Sequence, residues 1–87
     1  MSYKSETSKE VKKFLAKHPE IISRYVEKVE KIEKNPHRPE WVDAKPYIWH
    51  EWHYRMRIGK YRFLYEVIDD IILVYFYDAD SRGDIYK

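Results

Sequence analysis

Three arginines, Arg55, Arg57 and Arg62, crowd into the stretch HYRMRIGKYRFLYEV at residues 53–67. A guanidinium fork binds phosphate oxygens bidentately, and a fixed set of such groups stabilises charge that develops on a phosphoryl centre. Tyr75 and Tyr77 follow, then Arg82 and Tyr86. Tyrosine rings can stack on unpaired bases. Arginines interleaved with tyrosines suit single-stranded RNA better than a duplex groove. The plainer alternative is a solvated sheet face on which Glu66 and nearby aspartates neutralise the arginines.

Other residue types offer less chemistry. Histidines stand at 18, 37, 50 and 53. His50 and His53 are three apart on an apparent strand, hence on opposite faces, which argues against a shared metal. Asp43 and Glu51 are weaker still as proton acceptors. Cysteine is absent, so disulfides and thiolate metal sites are excluded and a reducing compartment fits. The net charge of +2 is low for a nucleic-acid binder. The charge is nevertheless uneven. Arg55, Arg57, Lys60 and Arg62 face one carboxylate, Glu66, within 54–66, whereas aspartates dominate 67–87.

These side chains need elements to hold them. Thr7 and Glu10 have capping-box spacing, and Val11, Phe14 and Leu15 follow as one helical stripe. His18-Pro19 interrupts it, and Pro19 suits the first residue of a second helix. Ile21, Ile22, Tyr25, Val26, Val29 and Ile32 continue at a 3.6-residue period until Asn35-Pro36. Residues 35–47 contain Pro36, Pro39 and Pro46 and read as a loop, with Trp41 and Val42 tacking it to the core. The period then changes to two, which predicts strands at Trp49–Ile58, Tyr61–Ile68 and Ile71–Tyr77. Gly59-Lys60 has the Gly-X form of a type II′ hairpin turn.

A two-residue turn fixes the register, so Ile58 opposes Tyr61 and Arg57 opposes Arg62. One face then carries Tyr54, Met56, Ile58, Tyr61, Phe63, Tyr65 and Val67, joined by Ile72, Val74 and Phe76; this is the core face. The other carries Arg55, Arg57, Arg62, Leu64 and Glu66 with Tyr75 and Tyr77. Like charges directly opposite one another are unfavourable by about 0.2–1 kcal/mol, so the Arg57–Arg62 pair asks for an anion. The predicted fold is a single α+β domain over residues 1–87, a two-helix hairpin packed on one face of an antiparallel β-meander.

The run YRMRIGKYRFLYEVIDDIILVYFYDADSRGDIYK, with its closing Arg82 and Tyr86, resembles the C-terminal half of the RelE/ParE toxin superfamily. The hairpin form YR-x-R-x-G-x-YR, the acidic turn, the apolar strand and the closing arginine and tyrosine carry the likeness. The helix–helix–loop order before them also fits. The resemblance implies a short N-terminal strand near Ser2–Glu6. It further implies a RelE-like, ribosome-dependent mRNA endonuclease that inhibits translation and is neutralised by a cognate antitoxin. It carries no cofactor and no metal. Arg62 and Arg82 would stabilise the phosphate charge, while Arg55 and Arg57 position the RNA backbone. Tyr77 would contact the RNA. Tyr86 is the candidate general base or stacking residue. As a base it would need a pKa well below the usual value near 10.

Two features pull the other way. The chain is nearly charge-balanced, and Asp78, Asp80 and Asp84 surround Arg82. Some relatives use a Glu–His pair, and the closing SRGDIYK has no histidine. A ParE-like inhibitor of DNA gyrase, or a member that binds RNA or protein without cutting, therefore stands as the alternative. The N-terminus lacks an apolar signal region, and the longest apolar run, Ile71 to Tyr77, is far too short for a membrane span. Both point to a soluble protein of the cytoplasm.

Overall fold

A computed structural model describes residues 2–47 and 52–80. In chain order the elements are β1 (Lys4–Thr7), α1 (Lys9–Lys17), α2 (Ile22–Lys34), β2 (Ala44–Pro46), β3 (His53–Ile58), β4 (Tyr61–Ile68) and β5 (Leu73–Asp80). Short 3-10 turns lie at Pro19–Ile21, Pro39–Val42 and Asp69–Ile71. The α+β class is as the sequence predicts, and so is the helical hairpin.

Ser8, not Thr7, caps α1. Its backbone is extended and its hydroxyl accepts from the Val11 N–H at 3.2 Å. Thr7 is still paired in the sheet, opposite Phe76, so the chain turns one residue later than the capping-box spacing predicts. Val11 rather than Glu10 then holds the third helical position. Pro19 opens a 3-10 turn, and α2 starts at Ile22. The buried stripe is narrower than the apolar pattern. Ile21, Tyr25 and Ile32 are buried, whereas Ile22 and Val26 are exposed.

The sheet has the order β1-β5-β4-β3-β2 among the described residues. β3, β4 and β5 form the antiparallel meander. β1 pairs with β5 in parallel at one edge, and the short β2 pairs with β3 at the other. The proline-rich segment is therefore not all loop. Pro39 starts a 3-10 turn, and Pro46 tolerates a strand because β2 is an edge. Val42 is buried, as expected, but Trp41 is 54% exposed and does not anchor the segment.

Further differences concern strand ends. Positions 49–51 of the predicted first meander strand lie outside the described residues, and Trp52 has φ 64, a left-handed geometry that no strand accepts. The third begins at Leu73. Ile72 takes φ 53 at the end of the Asp69–Ile71 turn and is 42% exposed, so it leaves the core face assigned to it.

The remaining core face agrees with the alternation. Tyr54, Met56, Ile58, Tyr61, Phe63, Tyr65, Val67, Val74 and Phe76 are buried there. Tyr25 of α2 packs its ring 5.1 Å from Phe63 and 5.4 Å from Phe76, centroid to centroid. Phe14 of α1 meets Phe63 edge-on at 5.6 Å. Burying one such ring is worth about 1.5–3 kcal/mol, so this aromatic layer dominates the helix–sheet contact. The opposite face of the sheet carries no helix among the described residues.

Candidate functional site

The hairpin turn sets the site. Gly59 has φ 60, which type II′ geometry requires at its first central position, and Lys60 keeps a negative φ. The register follows as predicted: Ile58↔Tyr61, Arg57↔Arg62, Met56↔Phe63 and Arg55↔Leu64. Arg55, Arg57 and Arg62 therefore share the face opposite the core, together with the buried Leu64.

β2 adds to this group. Lys45 stands opposite Arg55, and the backbone N–H of Arg57 donates to the carbonyl of Asp43 at 3.2 Å. Asp43, Lys45, Arg55, Arg57 and Arg62 line one cleft of about 50 Å³. That is room for a few waters or one small anion. The Arg57 Nε donates to Asp43 Oδ2 at 3.3 Å, and both side chains remain half exposed. From behind, Lys28 of α2 donates its Nζ to the carbonyls of Val42 (3.1 Å) and Arg57 (3.0 Å). Burial pushes the Lys28 ammonium below its ordinary pKa, and the Asp43 carboxylate opposes that shift.

β5 lies beyond β4, on the side away from β3. Its pairing with β4 slips between Leu64 and Tyr65: Tyr65 opposes Phe76, but Leu64 opposes Asp78. Tyr77 is the extra residue of a bulge. Its carbonyl accepts from the Ser8 hydroxyl at 3.3 Å, and the Ala79 N–H donates to Asp78 Oδ1 at 2.8 Å. Past the bulge Asp80 stands opposite Arg62. Cross-sheet rows result. One runs Lys45, Arg55, Leu64, Asp78; another runs Arg57, Arg62, Asp80, with Asp43 beside Arg57.

Next to these rows lies a polar aromatic group. The His53 Nδ1 is 3.0 Å from the Tyr77 hydroxyl, and its Nε2 is 3.5 Å from Glu66 Oε2. Burial pushes the Tyr77 hydroxyl up to about 12, with Tyr47, Glu66 and Asp78 adding to the shift. Tyr77 thus keeps its proton at neutral pH, and it cannot serve as a base there. Its ring stacks with that of Tyr75 at 6.4 Å. His53 belongs to this network and shares the face of the arginines.

The structure brings together Arg55, Arg57 and Arg62 and sets Tyr77 beside them. Arg82, Tyr86 and His50 lie outside the described residues. Lys45 is the member of the cleft that sequence reading missed, because β2 was hidden among prolines; Asp43 was named only as a weak proton acceptor, not as the Arg57 partner. A run of cations on β3 beside a β-compatible Ala44-Lys45 was the available signal. Among the described residues no three His, Cys, Asp or Glu side chains converge to hold a metal, and no helix is long and apolar enough to cross a membrane. Chemically, the cleft can hold an anion between guanidinium groups and stabilise added charge on it. Guanidinium groups are poor proton acceptors, so a base has to come from elsewhere.

No protein-family profile matches the sequence, and no curated protein matches it. Solved structures do. A chain of the archaeal RelE–RelB complex from Pyrococcus horikoshii matches with a TM-score of 0.82 and 26% identity, over 97% of this chain and 99% of that one. A chain of the RelBE2 toxin–antitoxin complex from Mycobacterium tuberculosis matches with a TM-score of 0.72 and 26% identity, over 94% of this chain and 100% of that one.

Proposed function

The chain belongs to the RelE-like toxin family, and from that premise we propose that it is the toxin of a toxin–antitoxin pair and acts as a ribosome-dependent mRNA endonuclease in the cytoplasm. The observation that supports this reading is the cleft itself, where Lys45, Arg55, Arg57 and Arg62 converge on a space sized for one small anion. The cognate antitoxin lays an amphipathic segment over the sheet or helices and hides these cations.

In this reading the 2′-hydroxyl 5′ to the break attacks the adjacent phosphorus. The bond to the 5′-oxygen breaks, leaving a 2′,3′-cyclic phosphate and a 5′-hydroxyl. The proton of the 2′-hydroxyl passes to a base, and a proton is returned to the leaving oxygen. Charge builds on the non-bridging oxygens. Arg62, with Arg82 from the closing segment, stabilises it, while Arg55 and Arg57 hold the flanking backbone. Tyr86 is the candidate base or stacking residue, and the Tyr75–Tyr77 pair offers rings to a neighbouring base.

The test is cleavage of ribosome-bound mRNA by wild type, Arg62→Ala, Arg82→Ala and Tyr86→Phe, with end-group analysis of the fragments. A loss of roughly 10² or more in each variant supports the assignment. Full activity in Arg62→Ala removes the cleft from the mechanism.

A second reading is a family member that binds without cutting, and the aspartates at 78 and 80 favour it. Growth arrest on induction, with loss of translation rather than of DNA replication, distinguishes the nuclease from this reading and from gyrase inhibition.

A further inference from the structure

We propose that Asp78 and Asp80 are built-in counterions of the arginine cleft, which an incoming phosphate group must displace, so that they set how tightly the site takes an anion. This rests on the reading of the cleft as a phosphate site and goes beyond it, because it assigns a selectivity role to β5.

The bulge carries the inference. With a regular ladder, the pairing of Tyr65 with Phe76 would bring Tyr77 opposite Leu64, Asp78 opposite Phe63 and Ala79 opposite Arg62. Asp78 would then point to the core face, beside the fully buried Phe63. The extra residue reverses this. Ala79 opposes Phe63 and packs against the core, while Asp78 and Asp80 turn to the cationic face. Parity changes at one residue, and Asp78, Ala79 and Asp80 after it each gain a face suited to them. The bulge is also tied down. The Ser8 hydroxyl that caps α1 donates to the Tyr77 carbonyl, and the Ser8 N–H donates to Phe76 O at 2.9 Å.

The result is a graded site. One row is cationic on β2 and β3 (Lys45, Arg55), the other on β3 and β4 (Arg57, Arg62), and each ends in a carboxylate on β5. Arg57 and Arg62 are opposed neighbours, and Asp80 stands opposite Arg62 in turn, at the separation of directly paired strand residues. Arg57 also meets Asp43 on its other side. The Arg57–Asp43 pair is closed inside the fold, and a phosphate that seats on the arginines competes with Asp43 there and with the charge of Asp78 and Asp80 across β4. Arg55 and Arg57 lie about 6.6–6.8 Å apart along β3, comparable to successive phosphates of an extended strand. A strand lying along β3 meets both rows at once, and repulsion by Asp78 and Asp80 keeps it off β5. An isolated anion meets one row and competes poorly.

The test is calorimetric titration of the full chain with inorganic pyrophosphate at low salt, comparing wild type with Asp80→Asn, Asp78→Asn, Asp80→Glu and Asp70→Asn. Asp70 lies in the exposed turn before β5 and removes the same charge elsewhere. Asp80→Asn and Asp78→Asn should each bind about fivefold more tightly or better. Asp80→Glu should stay near wild type, Asp70→Asn should gain less than twofold, and Arg62→Ala should abolish the gain of Asp80→Asn. Equal gains from Asp70→Asn and Asp80→Asn, or no gain from Asp80→Asn, overturn the proposal. Circular dichroism confirms that each variant is folded. Because pyrophosphate binding involves no RNA cleavage, an inactive protein with the expected binding series would defeat the nuclease reading and leave this one standing.

Discussion

Lys28 of α2 donates a hydrogen bond to the carbonyl oxygen of Arg57 at 3.0 Å, so the helix layer grips the backbone of a cleft residue from the far side of the sheet. The same ammonium holds the Val42 carbonyl, which precedes Asp43. One side chain thus fixes both ends of the Arg57–Asp43 pair.

Replacing it should cost stability and site geometry together. Lys28→Met keeps the aliphatic stem but leaves two carbonyls without this donor. We expect a loss of about 1–3 kcal/mol in urea unfolding and weaker pyrophosphate binding. Unchanged stability would show that water replaces the ammonium at no cost.

Tyr65 offers the opposite case. Its hydroxyl is buried and has no hydrogen-bond partner among the described residues. Its ring is packed between Tyr54 and Phe76 at 5.3 and 5.0 Å. Tyr65→Phe removes an unsatisfied polar atom and keeps the ring, so stability should hold or rise by about 1–2 kcal/mol. Tyr25→Phe should fall instead, because the Tyr25 hydroxyl lies 3.0 Å from Thr7 Oγ1. Thermal unfolding of the two variants side by side decides the matter.

Ile72 sits at φ 53, ψ 52, a left-handed geometry that is costly for a β-branched residue. It is 42% exposed, and its backbone bonds to Asp69 and Lys4 do not depend on its side chain. Ile72→Asn should therefore raise stability by about 1 kcal/mol, seen as a higher melting temperature. A fall would mean that the isoleucine packs more than its exposure indicates.

Alkali should unfold the domain in a defined window. Burial pushes the Tyr25 hydroxyl up to about 12 and raises that of Tyr65; Tyr77 also reaches about 12. In the unfolded chain these groups titrate near 10. Between those values the folded protein holds protons that the unfolded chain has released. The stabilisation is complete below pH 10 and is lost as pH rises through about 12. Urea midpoints measured from pH 8 to 12 should fall above 10, and the Tyr25→Phe variant should fall less steeply.

The hairpin and its two faces were legible in the sequence because Gly59-Lys60 permits one tight register and the alternation on either side is strict. The helices were legible from period and punctuation, although Ser8 and Thr7 could not be ranked as caps without knowing that Thr7 stays in the ladder. What the sequence concealed depends on single backbone geometries. Nothing in YFYDAD marks Tyr77 as the extra residue, so the placement of Asp78 and Asp80 emerges only from the pairing with β4. β2 was masked by prolines that an edge strand tolerates, and Ile72 looked like strand because its left-handed backbone contradicts its residue type. The arginines of the site, and the aspartates as groups able to neutralise them, could thus be read in advance, whereas the bulge that places Asp78 and Asp80 on their face, and the lysine on β2, could not.

The parallel pairing of β1 with β5 also imposes an order in time. Lys4–Thr7 is made first, and its partner Leu73–Phe76 almost last. Ser8, which leaves β1 to start α1, also anchors the bulge at Tyr77. During synthesis the first strand has no partner until nearly the whole described chain exists, and closing so long a loop is slow compared with forming the hairpin. The β3–β4 hairpin can assemble locally, with its arginines already side by side. The aspartates reach them only when β5 docks and β1 locks it from the outside. The nascent hairpin therefore meets Asp43, its upstream carboxylate, before the aspartates of β5 can reach it.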